Sequence, residues 1–150
     1  MAYAIDEKDQ KILEILKEHG DYTTRQMAKR TLLPATTIHN RIRKLKQEKI
    51  IRKFTVDVEP AAIGKSFMAY VLISANLPYL KKHKKTQYDM AKEIRQFYFT
   101  ERVDIVSGGT DLVAIVRVKD VAEFDIVLLG KLQLVEGVKN TKSVIVIHPQ

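Results

Sequence analysis

The sequence predicts an α+β chain of two small domains, an N-terminal helix-turn-helix of winged-helix kind and a C-terminal ferredoxin-like βαββαβ domain. Three observations predict it. Tyr22 to Lys53 holds ten Lys or Arg against one acid, Glu48, a local balance of +9 in a chain whose net charge is +8. The same stretch reads as two short helices split by a tight turn. From Phe67 onward the periodicity changes to long apolar β segments alternating with helices. At 150 residues and 45% hydrophobic content the chain can build two small cores. The expected division is 1–50 for the helical domain, 51–65 for a β-strand linker and 66–150 for the second domain.

Taken in order, Asp6 precedes a pattern with Ile12, Ile15 and Leu16 on one face, and Gly20 follows as a C-cap, so a first helix is expected from Asp6 to His19. Asp6 is read as an N-cap and nothing more. Thr23 or Thr24 caps a short second helix through Arg30, with Met27, Ala28 and Thr31 inward. Pro34 pre-sets the backbone for a third helix to about Glu48, whose core stripe is Ile38, Ile42 and Leu45. Ile50 to Glu59 alternates and is β-rich, which predicts a strand. The second domain is expected as strand Phe67–Asn76, helix Lys82–Phe97, strands Glu101–Ser107 and Leu112–Val118, helix Val121–Leu134 and strand Val138–His148. That order is the split βαβ arrangement, an antiparallel sheet with two helices on one face. A sheet covered on one face also predicts self-association, because its other face or its edges must be hidden.

The chain has no cysteine, which excludes disulfides, thiolate metal sites and thiol catalysis. Met1 to Lys8 carries acids where a secretory signal would be basic, and no stretch approaches the ~20 apolar residues of a membrane span. A cytoplasmic protein with no membrane partner is expected. The four histidines, His19, His39, His83 and His148, are scattered, without a His-Glu-x-x-His pair or a phosphate loop. No enzyme, no metal and no cofactor are expected. The excess of base favours a polyanion, and its concentration on helical elements points to duplex DNA.

At about 100° per residue, the side chains opposite the third helix's core stripe are Thr36, Asn40, Arg43, Lys44 and Gln47. Arg forks onto guanine, Asn brackets adenine, and Thr meets a thymine methyl or a phosphate. The N-terminal half of such a helix reaches base edges, so Thr36, Thr37, Asn40 and Arg43 are the candidates for specificity. His39 and Lys44 flank them. Arg41 falls near the core edge, suited to packing or a phosphate. Arg25, Lys29, Lys46, Arg52 and Lys53 are phosphate candidates.

Five stretches in order carry a resemblance. They are Ile5 to Leu13 at the first helix, Thr37 to Leu45 in the third, Ile50 to Phe54 after it, Gly108-Gly109-Thr110-Asp111, which fits a Gly-x-x-Asp turn, and Val135 to Val138 before the last strand. With these the chain resembles the Lrp/AsnC (leucine-responsive, feast/famine) regulators along its whole length. The resemblance implies a sequence-specific DNA-binding transcription regulator whose second domain pairs subunits and binds an amino-acid effector. Ser107, Gly108, Gly109, Thr110 and Asp111 are the effector positions carried over, and a homodimer that assembles to a higher oligomer such as an octamer is implied. There are departures: Leu32 stands where a turn glycine is common, Pro34 where a serine caps, and Lys49 where another glycine is common. Side chains disfavour left-handed backbone, so a turn of different shape is expected.

Read from its own residues, the turn Val106 to Asp111 is first a hairpin or bulged turn needing positive φ. Its N–H groups can also cradle a carboxylate, and the Asp111 side chain can meet an ammonium. Lys81-Lys82-His83-Lys84-Lys85 reads as a solvated helix start, although cations there oppose the helix dipole. Two other functions stay open at this point. Sirohaem decarboxylases look like this family in both domains, and a nucleoid-compacting protein differs from a regulator only in its specificity ratio.

Overall fold

The computed structural model describes residues 3–148. The chain divides into two compact units, Met1–Asp57 and Val58–Gln150.

The first unit contains α1 (Glu7–Glu18), α2 (Thr24–Thr31) and α3 (Ala35–Gln47). Two of the three starts are fixed by reciprocal caps. Asp9 N–H donates to Asp6 Oδ1 at 2.9 Å while Asp6 N–H donates to Asp9 Oδ2 at 3.2 Å. Thr23 and Gln26 form the same box on α2. Pro34 starts α3 through its fixed backbone alone, without a side-chain cap. The core is Ile12, Met27, Ile38 and Leu45, all fully buried, with Ile42, Ile50 and Ile51 packed against it.

Three expectations are corrected in this unit. Gly20 is not the C-cap of α1; His19 takes that place at φ −135°, its ring stacked on Tyr22 at 4.3 Å. Leu32 and Lys49 do not change the turns, because both adopt the left-handed conformation at φ 59° and 58°. The strain at Lys49 is offset by Ile50 and Ile51, whose N–H groups both donate to Leu45 O and close the end of α3. No strand forms after α3 among the described residues of the unit; Arg52–Glu59 is irregular and leaves Phe54, Val56 and Val58 exposed. Alternation supplies the faces of a strand but not its partner, and a strand exists only when a neighbour accepts its hydrogen bonds.

The second unit contains β1 (Phe67–Ala75), α4 (Leu77–Lys82), α5 (Gln87–Arg95), β2 (Thr100–Ile105), β3 (Leu112–Val118), α6 (Val121–Gly130) and β4 (Val138–Ile145). The sheet order is β2-β3-β1-β4 with every pair antiparallel, the ferredoxin-like topology. Ala69, Val71 and Ile73 of β1 and Leu112, Ala114, Val116 and Val118 of β3 are buried on one face, with Met90, Ile94, Phe124 and Val127 from the helices in the same core. The opposite face pairs Tyr70 with Ile115 and Val144, and Leu72 with Val113.

The single helix expected over Lys82–Phe97 is two. Asn76 caps α4 and Thr86 caps α5, the latter in a box with Asp89, and between them Lys84 turns left-handed at φ 54°. Lys81 and Lys82 therefore lie at a helix C-terminus, where cations are favoured, and not at the N-terminus expected for them. The helix expected over Val121–Leu134 likewise ends at Gly130, followed by a short 3-10 turn over Leu132–Leu134.

Gly137 shows why the stretch before β4 is fixed. Its φ is 93°, and a Cβ there would lie 2.4 Å from Leu80 Cδ2 and 3.1 Å from Met90 Sδ, both in the core. Its carbonyl accepts from Asn76 N–H at 2.7 Å, which ties the start of α4 to the start of β4. Gly137→Ala is expected to destabilise the unit by about 2–5 kcal/mol, the sum of overpacking and left-handed strain. Urea unfolding of the full chain checks this, and an unchanged midpoint refutes it.

Candidate nucleic-acid interface

The buried stripe Ile38, Ile42, Leu45 turns the other side of α3 to solvent. Thr36, His39, Asn40, Arg43 and Gln47 are exposed, and Thr37 is half-buried. Asn40 lies between two shallow depressions, one bordered by Tyr3, Thr37 and Lys44, the other by Thr24, Thr36 and His39. Arg43 and His39 enter no ion pair among the described residues, so their donors remain open to a ligand. Arg25, Arg52 and Lys53 are exposed as well. Lys44 is half exposed, pairs with Glu48 one turn on at 2.7 Å, and sits 5.8 Å from the centre of the Tyr3 ring.

Arg41 takes the packing role that its position near the core edge allowed. Its Nη1 donates to Asp6 Oδ1 at 2.7 Å and to Asp9 Oδ1 at 2.9 Å. Asp9 is fully buried, and its Oδ2 accepts from the Tyr3 hydroxyl at 2.8 Å. Asp6 is thus more than an N-cap: it caps α1 and also holds α3. The Asp9 backbone N–H, and then the Arg41 guanidinium, hold the Asp6 carboxyl below the usual carboxylate range. The hydrogen bond to Asp9 and then that to Asp6 push Arg41 further up, so it stays charged. The wheel position of Arg41 near the core edge was the one signal for this role. Nothing local named its partners, which lie 35 and 32 residues away.

In the second unit, Ser107 to Asp111 links β2 to β3, with Ser107, Gly108 and Gly109 exposed and Thr110 and Asp111 half-buried. Of the two glycines only Gly108 has positive φ, at 129°, and a Cβ on either would meet nothing within 4 Å. Asp111 Oδ2 accepts from Ala75 N–H at 2.8 Å, where the register of β1 with β4 shifts. One carboxylate oxygen is therefore engaged in holding the end of β1. Among the described residues no group of three or more His, Asp or Glu could hold a metal ion, and no helix is long and apolar enough to cross a membrane.

A helix-turn-helix with an exposed, basic third helix, joined in one chain to a split βαβ unit, defines a DNA-binding transcription regulator. Residues 5–52 match the winged helix-turn-helix DNA-binding family and residues 69–149 the Lrp/AsnC ligand binding domain family. The chain belongs to the Lrp/AsnC family of transcription regulators. The HTH-type transcriptional regulator FL11 of Pyrococcus horikoshii is 35% identical over 91% of this chain and 87% of its own length. FL11 of Pyrococcus furiosus is 33% identical over 95% and 89%. Among solved structures, E. coli AsnC superposes with a TM-score of 0.84 at 23% identity, covering 98% of this chain and 95% of its own. The Neisseria meningitidis regulator NMB0573, solved as a complex with L-Met, gives 0.86 at 22% identity, covering 97% and 91%.

Proposed function

We propose that α3 enters the major groove of its operator with Thr36, Thr37, Asn40 and Arg43 on base edges. His39, Lys44, Arg25, Arg52 and Lys53 then meet the flanking phosphates. The observation that carries this reading is the division of labour on α3. Arg41 is bound by Asp6 and Asp9, while Asn40 and Arg43 stand exposed with their donors and acceptors open. Asn and Arg are the side chains that make bidentate contacts to adenine and guanine.

The second unit serves as dimerisation and effector domain. The apolar face of exposed Tyr70 and Val144 and half-buried Leu72 and Ile115 suits pairing with a second copy. The homodimer then assembles further, to an octamer or a similar ring. A free amino acid is the effector, received at Ser107–Asp111; the open Gly108-Gly109 backbone supports this, as does the L-Met complex of the Neisseria relative. No catalysis is assigned, and the cytoplasm is where such a regulator meets its DNA.

The test is binding-site selection from random duplex at physiological salt, with and without the twenty amino acids. The expected result is a pseudo-palindrome with half-sites about one helical turn, ~34 Å, apart, whose enrichment shifts with amino acids. Enrichment of nothing overturns specific readout and leaves a compacting protein, and an unpaired half-site overturns the dimer.

A further inference from the structure

Residues 60–88 contain no acid at all, yet four of the five residues Lys81–Lys85 are lysines. The C-terminus of α4 accounts for one or two of these cations through its partial negative charge. It does not account for Lys84, which lies beyond the helix end, nor for the sum. Lys85 is engaged by Glu136, whose carboxyl it holds below the usual range. Asp89, the next acid along the chain, closes the capping box on Thr86. Lys81, Lys82 and Lys84 are exposed and enter no ion pair among the described residues.

The turn that carries them is held in one shape. The His83 ring stacks on Tyr79 at 4.0 Å, and its Nδ1 donates to Tyr79 O at 2.9 Å. Lys84 N–H donates to Lys81 O and Lys85 N–H to Leu80 O, with Leu80 buried in the core. Lys84 adopts φ 54°, a conformation that disfavours any side chain, so the surroundings impose it. Three exposed lysines within four residues are thus displayed with no carboxylate partner among the described residues.

We propose that this lysine turn is a second, sequence-independent contact for duplex DNA, gripping phosphates without reading bases. The inference rests on the DNA reading given above. Lysine ammoniums act as point charges without the planar fork that reads guanine, so the contact adds affinity and salt dependence and no base preference. Duplex DNA is the occupant because the chain already holds it elsewhere and because the patch matches it in charge.

The test uses the full chain with Lys81→Gln, Lys82→Gln and Lys84→Gln. Two duplexes carry the same selected site, one trimmed to the half-sites and one with arbitrary flanks of about one further turn or more on each side. Fluorescence anisotropy is followed against salt. On the long duplex the variant is expected to lose about 2–3 from the slope of log K against log salt per subunit, at ~0.9 per phosphate released. The melting temperatures of the two proteins should agree. An unchanged slope on the long duplex overturns the proposal. So does a loss that comes with a lowered melting temperature, which would mean a folding defect. The double variant Lys81→Gln, Lys82→Gln keeps the native residue at the left-handed position and should lose about 2; replacing all three by arginine should restore the slope. Failure of the α3 reading shows separately, as an Asn40→Ala, Arg43→Ala chain that binds the short duplex like wild type.

Discussion

Replacing Asn40 and Arg43 together by alanine is expected to weaken binding to the selected site by about 30- to 10⁴-fold per recognition helix. Each bidentate side chain–base pair discriminates by ~1–3 kcal/mol, and two of them reading different base pairs add roughly. Affinity for random duplex should fall far less, by the single phosphate-range charge of Arg43, with the salt slope reduced by about one. Stability should not follow. Both residues are exposed and Arg43 has no ion-pair partner among the described residues, so the unfolding free energy should stay within the ±0.5 kcal/mol usual for such surface changes. Competition between operator and random DNA, run beside thermal melting, separates these outcomes. An equal loss on both DNAs would show that α3 holds phosphates and reads no bases.

The parts of the fold legible from sequence were those fixed by local chemistry. Thr23, Pro34 and the four-and-three spacing of Ile38, Ile42 and Leu45 place α2 and α3 within about a residue, because caps and helical faces are set by neighbours in the chain. Leu112–Val118 emerged with its predicted bounds for a related reason: a continuous apolar run of that length fits a central strand, and β3 lies between β2 and β1. The break between α4 and α5 was also written locally, in Asn76 before Leu77-Pro78 and in Thr86 three residues before Asp89. The apolar spacing of Met90, Ile94 and Phe97 concealed it, since a helical stripe tells which face is buried and not where the helix starts.

What stayed hidden depended on partners distant in the chain. Arg52–Glu59 has the alternation of a strand and no neighbour within the described residues to pair with. Asp111 looked like half of an amino-acid site, and the structure gives one of its oxygens to Ala75 N–H, 36 residues away. Leu32 and Lys49 looked unable to hold left-handed turns, but a local preference of ~1–2 kcal/mol per residue is overridden once the helices on either side are packed. The candidate DNA-reading face was largely legible because exposure on an amphipathic helix follows from the buried stripe. Arg41 was its exception, since a charge at the stripe's edge is assigned by what lies across from it.

Arg41→Met is therefore expected to act on stability first. The substitution keeps much of the side chain's bulk but removes the only donor to Asp9 Oδ1 among the described residues, leaving a fully buried carboxylate supported by Tyr3 and the Asp6 N–H on its other oxygen. Breaking one side of such a pair costs about 3 kcal/mol. A unit of this size has roughly 3–8 kcal/mol in total, so a large fraction of the molecules should lose the folded DNA-binding unit near its working temperature. Asp9→Asn added to Arg41→Met should recover part of the loss, because the neutral amide no longer needs a cation. The pH dependence follows from Asp6, whose folded-state carboxyl is depressed by the Asp9 N–H and by Arg41. A depressed carboxylate contributes its stability above its unfolded value, ~3.9, and loses it as pH falls through the folded value. The gap between wild type and Arg41→Met should therefore be full at pH 7 and narrow below about pH 4. Melting curves that coincide at pH 7, with DNA affinity reduced, would return Arg41 to the DNA and take the clamp between α1 and α3 away.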